Sequence, residues 1–144
     1  VLSLLSNFNE FFASYKTIWN NCNAEDMNAT LATELQVRWA YPGNKVSQWG
    51  YAEACEGWRQ AYKSYEGHNP KWYFKELSVT PIAQNEVLAA FWVRFEQDGH
   101  MTPDACLFVQ VFRYDDGSWK LIRENADCFS TASLGPEVSA LVNA

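Results

Sequence analysis

The feature that most constrains this chain is a change of hydrophobic period near residue 35. Before it, Leu4, Phe8, Phe11, Phe12, Tyr15, Ile18, Trp19 and Cys22 recur every three or four positions, while Asn7, Glu10, Ser14, Thr17 and Asn21 fill the other side. That spacing predicts a long amphipathic helix. After it, Leu35, Val37, Trp39 and Tyr41 alternate with Gln36, Arg38 and Ala40, the period of a half-buried strand. Two kinds of element must therefore share one core.

The rest of the chain follows this division. Asn23 is placed to cap a short second helix, with Glu25 and Asp26 at its positive end and Met27 and Leu31 on one face, ending near Thr33. Pro42-Gly43-Asn44 turns the chain. A third helix follows Trp49-Gly50, with Tyr51, Cys55, Trp58, Tyr62 and Tyr65 on one face, and Gly67 and Pro70 stop it. Four strand signals then alternate with turns: Trp72 to Thr80, Val87 to Gln97, Ala105 to Tyr114 and Trp119 to Asn125, separated by Pro81, Asp98-Gly99 and Asp116-Gly117. Helices first and strands afterwards predict an α+β domain, with the helices on one face of a mostly antiparallel meander. In the tail, Pro136 could open a last helical turn carrying Val138, Leu141 and Val142.

With 144 residues the chain has material for one core. Its seven Trp exceed what folding alone requires, so part of the aromatic content is expected to line a cavity or an interface. The net charge of −6, with basic residues scattered singly, disfavours nucleic acid and anionic membrane surfaces as partners. No apolar run approaches the ~20 residues of a membrane-spanning helix. Val1 to Leu5 lacks the basic flank and cleavage-type end of a signal peptide and is not expected to be one. Cys22, Cys55, Cys106 and Cys128 have no zinc-type spacing and are expected as free thiols, which favours a reducing, cytoplasmic setting. The sequon Asn28-Ala29-Thr30 falls in a predicted helix and is read as chance.

Three stretches carry a family resemblance: Tyr15 to Met27, Tyr41-Pro42-Gly43 through Trp49-Gly50-Tyr51-Ala52-Glu53-Ala54, and Asp116 to Arg123. Together with the element order they resemble the superfamily of nuclear transport factor 2, ketosteroid isomerase and the SnoaL-like cyclases, over about Phe8 to Asn125. The resemblance implies a cone-shaped α+β domain, 1–128, with three helices on the concave face of a strongly curved sheet around an apolar pocket, and a tail, 129–144. It also implies a homodimer through the convex sheet face. Tyr15 matches the isomerase tyrosine that donates to a developing oxyanion, and Trp58 an aromatic residue that supports it. The isomerase base and acid are missing, since Trp39 and Val109 stand at those positions.

Strand parity, anchored on Val109, puts Leu107, Val109 and Val111 on the concave wall with Phe91, Val93 and Phe95. Trp92, Arg94, Glu96, Cys106, Phe108, Gln110, Phe112 and Tyr114 are then convex. The expected ligand-lining residues are Trp19, Trp39, Trp58, Tyr62, Phe91, Phe95 and Val109. The expected dimer face includes Trp92, Arg94, Phe108 and Phe112. Tyr15, Arg123 and Glu124 are the candidate catalytic residues, with Tyr15 open between a core role and a ligand-facing one, and Arg123 and Glu124 open between a solvated ion pair and an inward group. His68 and His100 read as loop residues and Asp115-Asp116-Gly117 as a turn. No metal or cofactor is expected. The functional expectation is a protein binding a hydrophobic small molecule, or a cofactor-free lyase, cyclase or isomerase; the alternative is a non-catalytic interaction module.

Overall fold

A computed structural model describes residues 3–144; Val1 and Leu2, and with them part of the segment considered as a leader, lie outside the described residues. The first helix, α1 (Leu4–Asn21), is capped by Ser3, whose hydroxyl accepts from the Ser6 amide, and closes at Cys22 in the left-handed conformation. Its Phe8, Phe12, Tyr15 and Trp19, spaced four, three and four apart, are all buried. The short α2 (Ala24–Asn28) is capped by Asn23 as the sequence predicts, but ends earlier, because β1 (Leu31–Tyr41) has already begun. Strand β2 (Lys45–Gly50) pairs back on β1 and leads into α3 (Tyr51–Ser64). Long strands follow: β3 (Lys71–Ala83), β4 (Glu86–Gln97), β5 (His100–Asp115) and β6 (Ser118–Ser130).

The six strands form one open sheet in the order β2-β1-β6-β5-β4-β3, antiparallel throughout except where β1 runs parallel to β6. Helices α1 to α3 cover its concave face. Tyr62 on α3 donates its hydroxyl to the Trp19 carbonyl at 3.1 Å, joining the two main helices. Asn20 exchanges two bonds with the backbone of Trp72, at 3.0 and 2.7 Å, tying the end of α1 to the start of β3.

The parity of β5 differs from the sequence expectation. Phe91 pairs with Phe108, and their rings stack 5.6 Å apart on the helix side. Cys106, Phe108, Gln110, Phe112 and Tyr114 therefore face inward, and Leu107, Val109 and Val111 face outward. Both sets are mostly apolar, so alternation alone could not choose between them, and a one-residue slip exchanges the faces. Phe108 and Phe112 belong to the core, packed on Trp19 and on Phe8, Phe11 and Tyr15 respectively, and are unavailable to a partner.

On the convex side, β6 continues to Ser130, a 3-10 turn spans 131–133, and α4 (Pro136–Val142) folds back over the sheet. Its Val142 packs with Trp92 and Ala105, while Asn143 accepts a hydrogen bond from Arg94. Arg94 also donates to the carbonyls of Asp104 and Thr102, both at 3.1 Å. Trp92 and Arg94 are convex as predicted, but the chain's own tail occupies that end of the face.

The cysteines divide in two. Cys106 and Cys128 stand directly opposite on β5 and β6, with Cα atoms 4.1 Å apart, and form a disulfide; Cys22 and Cys55 are free. The expectation of four free thiols is thus corrected for the bridged pair, and with it the argument for a reducing compartment loses its basis. Among the described residues no helix is long and apolar enough to cross a membrane. Asn28 is buried with its amide nitrogen 3.3 Å from the Cys55 carbonyl, which fits the reading of its sequon as chance.

Candidate functional site

A β-bulge builds the floor of the site. Val111 pairs with Arg123 and Phe112 with Leu121, which leaves Ile122 as an extra residue on β6. Simple alternation from inward Leu121 would have sent Arg123 in and Glu124 out. The bulge reverses this. Arg123 is exposed on the convex side, 3.6 Å from Glu86, and Glu124 turns into the space between sheet and helices.

There the Glu124 carboxylate accepts from the indole nitrogen of Trp39 at 2.8 Å and from the side-chain amide of Gln110 at 2.6 Å. No cation pairs with it among the described residues. Burial pushes its carboxyl above the usual range, and the two hydrogen bonds only partly oppose this. The group is enclosed by protein yet keeps some accessibility, because it opens on a cavity rather than on bulk water. Gln110, fully buried, also donates to the Tyr15 hydroxyl at 3.0 Å. Since that oxygen already accepts, the Tyr15 proton is left for another acceptor. Burial, reinforced by the charge of Glu124, raises the Tyr15 hydroxyl above its ordinary value, so it serves as a neutral donor. The Trp19 indole opposes that shift through its proximity to the hydroxyl, but its nitrogen makes no hydrogen bond within normal geometry.

Above this floor lies a cavity of about 490 Å³, a volume suited to a small organic molecule. Its walls come from α1 (Tyr15, Trp19), β1 (Leu35, Val37, Trp39), β2 (Trp49), α3 (Ala54, Trp58, Ala61), β3 (Trp72), β4 (Val93, Phe95) and β5 (Cys106, Phe108), with Tyr41, Tyr65, Glu53 and Asp104 toward the mouth. The aromatic rings lie edge to face or tilted: Trp19 and Trp58 are 5.0 Å apart, Trp39 and Phe108 5.4 Å, Trp72 and Phe95 4.6 Å.

The residues predicted for the site separate clearly. Tyr15 and Glu124 come together through Gln110, and Trp19, Trp39, Trp58 and Phe95 line the cavity. Tyr62 and Phe91 are packed into the core, and Val109 is on the outer face, so none of these three borders it. Arg123 points away. Gln110 is absent from the expected lining because the parity expected from the sequence puts it on the convex side, and the expected, almost wholly apolar wall gains a polar floor. The available signal was Gln110 itself, a lone amide in an apolar run, whose burial needs a polar partner. His68 is exposed, 2.9 Å from Asp98, and His100 begins β5, both away from the cavity. Among the described residues no cluster of three metal-ligating side chains occurs.

No family model and no curated protein matches this chain. Solved structures do. A ketosteroid isomerase-like protein from Erwinia carotovora atroseptica SCRI1043 superposes with a TM-score of 0.63 at 18% identity, over 90% of this chain and 99% of its own. An NTF2-like protein of unknown function from Pseudomonas putida KT2440 gives 0.64 at 14% identity, over 85% and 84%. The fold is the NTF2-like cone. Aln2 from a Streptomyces species shares it, with a TM-score of 0.68 at 16% identity over 83% of this chain and 86% of that one. At these identities the similarity is one of NTF2-like architecture, and activity has to be argued from the site.

Proposed function

We propose that this NTF2-like chain binds a small, mostly apolar molecule inside its cone, with the Tyr15-Gln110-Glu124 floor orienting the polar end. The observation that carries this reading is a carboxylate held by two donors at the bottom of an aromatic cavity of about 490 Å³. Burying apolar ligand surface against the rings supplies affinity at roughly 25 cal/mol per Å². The free Tyr15 proton supplies a donor for an acceptor on the ligand.

The direct test uses a neutral apolar fluorophore, N-phenyl-1-naphthylamine. Its emission should rise on binding, and Gly57→Trp should reduce the rise by filling the cavity, since a Cβ added at Gly57 meets nothing within 4 Å. Absence of any fluorescence change with the unaltered protein at millimolar dye would overturn the reading.

A second reading is favoured by the linkage of Tyr15 to Glu124 through one amide. Tyr15 polarises a ligand carbonyl and Glu124, whose proton affinity is raised, moves a proton, as a cofactor-free isomerase, cyclase or lyase requires. Steady turnover that is lost in Glu124→Gln while ligand affinity is kept would support it. The convex face supports a further proposal, association with a second copy. There Leu88, Ala90, Leu107 and Val109 are only partly covered, beside the buried Val111.

A further inference from the structure

We infer that the ligand carries a positive charge: the cavity is built for a protonated amine with an apolar body. The inference rests on the binding reading above and specifies its ligand class. Ten of the residues lining the cavity are aromatic, three are carboxylates (Glu53, Asp104 and Glu124), and none is Lys, Arg or His. A cavity meant for a carboxylate or phosphate would need a cation or a set of backbone amides on its wall. A neutral hydrocarbon would need no carboxylate at its floor, where an uncompensated charge is costly.

An ammonium group resolves both features. The faces of Trp and Tyr rings attract a cation within about 6 Å of their centroids, most strongly when water is excluded. Trp19, Trp39, Trp49, Trp58 and Trp72 present five indoles to one small volume. Each oxygen of Glu124 already accepts one hydrogen bond, from Gln110 and Trp39. A carboxylate has about four acceptor sites, so two remain for ligand N–H groups. At the mouth, Glu53 and Asp104 are exposed and add to a net charge of −6, so the approach path attracts cations before the floor is reached.

The charge state of the floor should then govern binding. The groups facing Glu124 are Tyr15 from α1, Trp39 from β1 and Gln110 from β5, with Glu53 of α3 and Asp104 of β5 at the rim. None supplies a positive charge, and protonation of Glu124 in acid removes the attraction.

The test compares three probes with one aromatic body: naphthylmethylammonium, naphthalenemethanol and naphthylacetate, titrated at pH 7 by calorimetry. The ammonium should bind at least about tenfold tighter than the alcohol, with the carboxylate weakest, a ratio in the range expected for desolvated cation-π contact. Glu124→Gln should bring the ammonium and alcohol affinities close to each other. The double variant Glu53→Gln, Asp104→Asn alters only exposed positions and should lower the ammonium preference by a smaller factor. Equal binding of ammonium and alcohol, or tighter binding of the carboxylate, overturns the charge assignment and leaves the ligand cavity standing. Failure of all three, together with failure of the neutral fluorophore, removes cavity and charge assignment alike.

Discussion

Phe108 and Val109 are consecutive residues of β5, yet they lie in opposite environments. Phe108 is 2% exposed, stacked on Phe91 and set edge to face against Trp19 and Trp39 under the helices. Val109 is half-covered on a face that the chain leaves partly open, between Ala90 of β4 and Asn125 of β6. The two sides of one strand thus divide the work. The concave side fixes the fold and frames a cavity, while the convex side is finished by elements added afterwards: the C-terminal helix at one end and, on our proposal, a second copy in the middle.

The sharpest way to break this comparison is to truncate one residue on each side. Phe112, fully buried among Phe8, Phe11, Phe12 and Tyr15, should cost about 3–5 kcal/mol as Phe112→Ala, against under about 1 kcal/mol for Val109→Ala, measured by urea unfolding. Comparable losses would mean that the two faces are equally buried.

Next in size is the tail. A chain ending at Ser130 loses Val138, Leu141 and Val142 from the cluster around Trp92 and Ala105, and Arg94 loses Asn143. About 2–4 kcal/mol of stability should go with them, read as a lower thermal midpoint. An unchanged midpoint would make the tail an ornament rather than part of the sheet's cover.

Why these two faces were hard to tell apart from the sequence is a matter of pattern. The α1 stripe has polar residues on its other side, and it predicts the helix and its buried face together. The turns are equally legible, because Asp98-Gly99 and Asp116-Gly117 take the positive φ values that close two-residue hairpins. Strand β5 is apolar at odd and even positions alike, so its parity depends on register, which the sequence does not print. The bulge at Ile122 that aims Glu124 inward has no local signature, and the pairing of Cys106 with Cys128 follows from the same register. The fold was therefore legible from periodicity, whereas the site turned on two one-residue decisions in adjacent strands.

A smaller effect sharpens the convex side. Val109→Lys should change the folding free energy of the isolated protomer by under about 1 kcal/mol, yet shift a dimer to monomer in light scattering, because a charge at the centre of an apolar contact is left unpaired. A dimer that survives the substitution would move the interface away from the middle of this face.

The smallest effect concerns the concave floor and depends on pH. A carboxyl whose folded pKa stands above its unfolded value holds its proton more tightly when folded, so its contribution to stability is fully present below the ordinary Glu range, near about 4.3, and is lost as pH rises through the raised value. Glu124→Gln cannot ionise and escapes that loss. Its thermal midpoint should therefore gain on the parent as pH rises from roughly 4 to 7. A difference that stays flat across that window would mean that burial does not perturb Glu124. Saturating naphthylmethylammonium adds a second condition, since a cation at the floor favours the ionised parent and not the amide. At neutral pH it should raise the parent's midpoint more than the amide's, and a neutral ligand of the same shape should not.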